Sequence, residues 1–164
     1  MPRLPSLMTG RNCAPLSDEQ KKRVINTFLG LDADAVVRFD DGRTVFRVCR
    51  DEQTGEEYGE VLFGADIYPG TNIVDPNSSL GLVAAAAHEL THLYRWRDMQ
   101  ALDDESLEHL DEALTSLQAI ANFADLKPRE VRQLAADAMQ RLRLYLQQVG
   151  AAAAAGADER GPAD

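Results

Sequence analysis

The sequence predicts one small α+β domain, in which a mostly antiparallel sheet of three short strands packs on three long helices. Three observations carry this prediction. The first half of the chain contains short β-branched or alternating runs bounded by turn residues. The second half carries apolar residues at helical spacing. A chain of 164 residues, 45% of them hydrophobic, suits a single globular domain with a real core.

A short helix and three strands are predicted in the first half. The helix begins after Ser17, which forms a capping-box pattern with Gln20, and Gly30 is placed to end it. Strands are predicted over residues 35–39, 44–49 and 58–68. Asp41-Gly42 is a strong hairpin signal between the first two strands, and Gly64 indicates a bulge in the third.

Three long helices are predicted in the second half, over about residues 79–96, 104–124 and 128–148. Pro128 separates the last two. Both chain ends lack such patterns. We therefore expect a flexible arm over residues 1–16, one domain over 17–149 and a disordered Ala/Gly-rich tail over 150–164.

Composition argues against several classes of partner. The formal net charge of −10 disfavours binding to nucleic-acid backbones. No run approaches the roughly 18 apolar residues that cross a bilayer, and the first ten residues do not resemble a secretion signal. Cys13 and Cys49 form no disulfide framework, so a reduced, cytoplasmic protein is expected. No sequence feature fixes an oligomeric state.

The segment His88-Glu89-Leu90-Thr91-His92 carries the main chemical signal. On a helix, residues four apart lie one turn above each other, so both imidazoles can reach one tetrahedral Zn²⁺ at about 2.0–2.1 Å. Glu89 lies on the flank of that face, where it can accept a proton from an attacking water instead of binding the metal. The pattern predicts one zinc ion per chain, with Glu89 as general base.

A catalytic zinc site needs a third protein ligand, and Glu112 is the first candidate. It lies 20 residues after His92 on the next predicted helix. It belongs neither to the polar stripe of that helix nor to its strongest apolar stripe, and Ser116 and Ala119 beside it are small. We expect a glutamate in such surroundings to face a partly buried metal. The apolar stripe consists of Leu107, Leu110, Leu114, Leu117 and Ala121.

Other residues compete for roles in the site. Asp98 stands where the metzincin pattern places its third ligand, but Arg95 replaces the glycine that this pattern needs for its turn. Asp111 is a further ligand candidate, although it falls on the polar stripe. His109, three residues before Glu112, is another ligand candidate; it could instead stabilise the oxyanion of a tetrahedral intermediate, a role for which Tyr68 is also a candidate.

Tyr94 is a further candidate for the same oxyanion role. It lies on the core side of the predicted helix, which favours a packing role.

The histidine pair and Glu112 together resemble the gluzincin branch of the zincin metallopeptidases, which includes thermolysin-like enzymes. Their glutamate motif is Asn-Glu-x-x-Ser-Asp, whereas this chain has Asp111-Glu112-Ala113-Leu114-Thr115-Ser116. Only the glutamate matches outright, and Ser116 occupies the position of the aspartate that orients the first histidine. The small size resembles the compact ImmA/IrrE-like metallopeptidases.

The resemblance implies a minimal zincin-like fold that hydrolyses protein or peptide substrates. We expect an extended substrate to pair with a strand edge near residues 60–65. Two other functions stay open at this stage. The chain could be an inactive zincin-fold module that binds or regulates, or a metal-free helical interaction protein.

Overall fold

The computed structural model describes residues 10–70 and 79–158, and within them the chain is the predicted α+β domain. Short 3₁₀ turns at Ala65–Ile67 and Glu105–Leu107 accompany the helices and strands. The helices are α1 (Asp18–Leu31), α2 (Leu82–Arg97), α3 (Glu108–Asn122) and α4 (Pro128–Asp158), and the strands are β1 (Val37–Phe39), β2 (Val45–Arg50) and β3 (Glu57–Phe63).

The sheet has the order β1-β3-β2, so the predicted hairpin between the first two strands is wrong. β2 runs antiparallel to β3 over six residue pairs, and β1 runs parallel to β3 over three. The sheet is therefore mixed but mostly antiparallel. The third strand also ends earlier than predicted, at Phe63, because the chain turns into the 3₁₀ turn after Gly64.

The connection between β1 and β2 passes around the end of β3 at Gly64. Asp40 N donates to Phe63 O at 3.0 Å, and Gly64 N donates to Thr44 Oγ1 at 3.2 Å. A Cβ atom on Gly64 would lie 1.7 Å from Gly42 O, so only glycine allows this approach. The two glycines that indicated a hairpin and a bulge instead mark a crossing of two backbone segments.

Helix α2 is at the centre of the core, and its alanines allow close packing on every side. Ala84, Ala86, Ala87 and Leu90 are fully buried. They pack with side chains from the other helices and from the sheet. These partners include Val24, Phe28, Val61, Phe63, Ala119 and Leu134.

Helix α3 turns its small residues inward, not its leucines. Ala113, Ser116 and Ala119 are fully buried, whereas Leu114 and Leu117 are 36% and 44% exposed. The apolar stripe seen in the sequence therefore does not form the buried face of this helix. Small side chains let α3 approach α2 and α4 closely, and this packing turns Glu112 inward.

Both ends of the domain differ from the sequence prediction. Arg11 bridges to Pro69 and donates to the backbone oxygens of Asp66, Ile67 and Leu80 at 2.7–2.8 Å, so residues 10–16 are held against the domain. Helix α4 continues to Asp158 instead of ending near Gln148. Its last turns are rich in alanine, the strongest helix former. Residues 1–9 and 159–164, the rest of the predicted arm and tail, lie outside the described residues.

In the described parts of the chain, none of the helices combines the length and the apolar character that crossing a bilayer requires.

Candidate metal centre

Three predicted ligands meet where α2 faces α3. His88 Nε2 lies 3.0 Å from Glu112 Oε2 and 3.1 Å from His92 Nε2, and His92 Nε2 lies 3.4 Å from Glu112 Oε1. His88 is buried, and the other two side chains are half-buried. Helical spacing places the His92 imidazole one turn away from that of His88 on the same face of α2. The small residues of α3 face inward, and the Glu112 carboxylate lies on that side of the helix.

These distances fit a cation with tetrahedral coordination. For zinc bonds of about 2.0–2.1 Å, neighbouring ligand atoms are about 3.3 Å apart. The two imidazole nitrogens are 3.1 Å apart, and each lies 3.0 or 3.4 Å from a different oxygen of Glu112, so all of these separations are close to that value. Two imidazoles and one carboxylate also form a known ligand set of catalytic zinc sites, which leave the fourth position open. The cluster can therefore hold one metal ion.

The chain matches no family model, no curated protein and no solved structure. The support for a metal centre thus comes from the geometry and electrostatics of its own residues.

The ligand residues influence one another strongly. Burial acts to lower the pKa of His92, but the charge and hydrogen bond of Glu112, with the charge of Glu89, raise it to about 9. Burial acts to raise the pKa of Glu112, but His92, His88 and Arg141 hold it well below its usual range. The carboxylate is therefore kept charged beside two imidazoles, as a cation site requires.

Glu89 lies beside the ligands without joining them. It faces the same cleft as His88, His92 and Glu112, yet it is absent from the cluster of atoms that could hold the ion. Burial raises the pKa of its carboxyl, while the charges of His92 and His88 oppose that rise. A raised pKa makes a carboxylate a stronger base, which suits a group that accepts a proton and later returns it.

The metal centre opens into a cleft of about 660 Å³. One wall comes from the connection before β2 and from the start of that strand, including Arg43, Thr44 and Phe46. The other wall comes from α2, α3 and α4, with Arg141 beside the ligands. A cleft of this volume and mixed polarity has room for a short extended segment of polypeptide.

The other candidates from the sequence lie outside this cluster. Asp98 is exposed at the end of α2. Asp111 accepts from Arg95 Nη2 at 2.6 Å and from Leu102 N at 3.1 Å, which makes it a structural ion-pair partner. Within the described residues, none of Asp98, Asp111 and His109 lines the cleft.

The two tyrosines are engaged away from the ligands. Tyr68 donates its hydroxyl to Gln20 O on α1 at 3.1 Å, so in this conformation it does not serve an oxyanion. Tyr94 donates to Asp32 Oδ2 at 2.8 Å and packs on Phe123, in agreement with its predicted core position.

Sequence reasoning missed a polar network behind His88. His88 Nδ1 lies 2.8 Å from Ser116 Oγ, and Ser116 Oγ donates to Asp137 Oδ2 at 2.5 Å. Arg141 Nε contacts both oxygens of Asp137, at 3.2 and 3.3 Å. The one available signal was Ser116 itself, which stands where the gluzincin motif has aspartate. Nothing in the sequence of α4 marks Asp137 and Arg141 as buried, because an i,i+4 pair usually lies on a solvated helix face.

Proposed function

We propose that this protein is a zinc-dependent peptidase of gluzincin type. The observation that carries the proposal is that the ligand atoms of His88, His92 and Glu112 lie within 4.8 Å of one another. Glu89, which is not one of these ligands, lines the same open cleft. A purely structural zinc site has no need of a general base or of an open face. The resemblance of the motif to gluzincins supports the same function, and the compact ImmA/IrrE-like group is the nearest in size.

Each residue has a defined part in the proposed reaction. Zn²⁺ held by the three ligands would lower the pKa of a water molecule toward about 7 and polarise a peptide carbonyl. Glu89 accepts the proton of the attacking water and then delivers it to the leaving amine. Burial raises its pKa, which makes the carboxylate a stronger base for the first of these transfers.

The edge of β2 is the surface that we assign to the substrate backbone. The earlier expectation placed this role on residues 60–65, but β3 is the central strand and pairs with a neighbour on each side. β2 is an edge strand of the sheet, and Thr44, Val45 and Phe46 line the cleft. An extended peptide added there would lie across the metal centre by β-augmentation.

The test is a Glu89→Gln protein compared with wild type on a broad peptide library, with cleavage read by mass spectrometry. Hydrolysis should fall at least about a hundredfold, the usual minimum for a lost general base, while zinc content stays at one per chain. Glu105→Gln is the matched control, since Glu105 is an exposed glutamate in the 3₁₀ turn before α3. A Glu89→Gln protein that retains zinc and wild-type hydrolysis would refute the mechanism.

Two outcomes would favour the other functions. One zinc per chain with no cleavage of any library peptide by wild type would support a zincin-fold module that binds or regulates. No zinc binding on titration would support a metal-free helical interaction protein. A cytoplasmic location remains our prediction from the sequence, and the two cysteines of the structure are both unpaired.

A further inference from the structure

A buried carboxylate on α4 lies behind the metal ligands. Asp137 is 0% exposed, and its oxygens contact Ser116 Oγ on α3 and Arg141 Nε on its own helix. A charged group so deeply buried is costly unless it is paired and hydrogen-bonded. Packing alone therefore does not explain a carboxylate at this position.

The direction of the hydrogen bonds follows from what each group can donate. A carboxylate only accepts, so Ser116 uses its single proton to donate to Asp137. The Ser116 oxygen is then left as an acceptor toward His88 Nδ1, which lies 2.8 Å away. His88 must therefore carry a proton on Nδ1 to make this contact. In the neutral form of this ring, the lone pair is then on Nε2, the nitrogen that faces His92 and Glu112.

We propose that Asp137 is a positioning residue that acts through the Ser116 hydroxyl to fix the orientation and the tautomer of His88. The inference rests on the proposed metal centre, because an Nε2 lone pair held in this direction is the atom that would bind the cation. Two residues from different helices thus do what a single aspartate at position 116 would do in the gluzincin motif. We call the contacts from Asp137 through Ser116 to His88 the relay; it is a property of this chain and not of the motif.

Arg141 fixes the polarity of the relay from the other side. Its Nε donates to both Asp137 oxygens, so the carboxylate remains an acceptor toward Ser116. Its Nη1 lies 3.6 Å from Glu112 Oε2, which links the relay to the third ligand. One buried guanidinium therefore supports both the carboxylate that orients His88 and the carboxylate that completes the ligand set.

The first experiment measures Zn²⁺ affinity by competition with a chromophoric chelator, in Ser116→Ala, in Asp137→Asn and in the double variant. Each single change should weaken binding 10- to 100-fold, the usual range for groups that orient a metal-binding histidine. Because the two residues act in series, their effects should not add. The double variant should bind Zn²⁺ about as tightly as whichever single variant has the lower affinity. Two results would overturn the proposal: a loss of affinity in the double variant equal to the product of the two single losses, or single variants with Zn²⁺ affinities within twofold of wild type.

Thr115→Val is the matched control for loss of a buried hydroxyl on α3. Thr115 is also fully buried, but its Oγ1 donates to Asp111 O and has no contact with His88. Its zinc affinity should equal that of wild type even where its melting temperature falls. An equal loss of affinity in Thr115→Val and Ser116→Ala would show that general damage to α3 explains the effect.

The second experiment needs no substitution, and it stands if Asp137→Asn fails to fold. Nitrogen-15 chemical shifts of the His88 ring, measured in metal-free wild-type protein, report which nitrogen carries a proton. A proton on Nδ1 is expected, and a bare Nδ1 would overturn the inference. The two proposals fail separately. Absence of zinc binding by wild type with a protonated Nδ1 would remove the peptidase function and leave the relay in place.

Discussion

Glu112 is the residue whose substitution tests the metal centre most directly. Glu112→Gln retains the size of the side chain and replaces a charged ligand with a neutral amide. The carboxylate lies 3.0 Å from His88 Nε2 and 3.4 Å from His92 Nε2. The change therefore removes one of three protein ligands and leaves both ligands of α2 in place. The loss should appear in metal affinity.

The size of that loss follows from the free energy of zinc binding. Structural zinc sites with four protein ligands bind with about 10–16 kcal/mol, which is about 3 kcal/mol for each ligand. Since 1.4 kcal/mol corresponds to a factor of ten, losing Glu112 should weaken zinc binding by about a hundredfold or more. Glu112 also sits beside Arg141, so the amide additionally leaves that guanidinium without its second carboxylate.

Elemental analysis and chelator competition measure the effect, with Asp98→Asn as control. Asp98 is an acidic residue at the end of α2 and is exposed, so its substitution should leave zinc content at one per chain. Unchanged affinity in Glu112→Gln would refute the ligand assignment. Loss of zinc in Asp98→Asn with retention in Glu112→Gln would transfer the third ligand to the metzincin position.

Three further predictions concern stability. Zn²⁺ at a hundred times its dissociation constant should stabilise the protein by about 2.7 kcal/mol and raise Tm by about 5–10 °C, and a chelator should reverse the shift; a constant Tm would contradict the site. Asp111→Ala should cost about 3–5 kcal/mol in urea unfolding, because it leaves the buried guanidinium of Arg95 without its carboxylate partner. Gly64→Ala should destabilise the protein by about 1–3 kcal/mol or more, because the added Cβ would clash with Gly42 O. Gly30→Ala, with open space at its Cβ, should stabilise α1 by about 0.5–1 kcal/mol, and equal melting temperatures of the two variants would contradict the backbone crossing.

Short-range patterns predicted the helices and the ligands of α2. Helical spacing alone places His88 above His92, and the capping box at Ser17 is present as predicted. Glu112 was found by a subtler signal, its position outside both stripes of α3. That signal succeeded because small neighbours allow close helix packing, and close packing turns the intervening side chain inward.

Long-range arrangement was beyond the same reasoning. Asp41-Gly42 is a local hairpin signal, but in the sheet β3 lies between β1 and β2, and Gly42 instead lies against Gly64, a contact that no local pattern encodes. The leucines of α3 were predicted as its dominant apolar face, yet burial favoured the alanines and Ser116, since the helix is packed on two sides at short distance. Periodicity records which residues share a face and leaves open which face a neighbouring helix covers.

The polar groups around the ligands also explain why three elements are needed to build one site. Within the described residues, α2 supplies two of the three side chains that could hold a metal ion, and α3 supplies the third. Without α4, Ser116 would lack the Asp137 carboxylate to which it donates, and its hydroxyl would no longer be held as an acceptor for His88 Nδ1. Glu112 would also lack the Arg141 guanidinium 3.6 Å away. The sequence motif therefore defines the ligand pair, whereas α4, which carries no motif, sets the orientation and charge that make the pair fit for a cation.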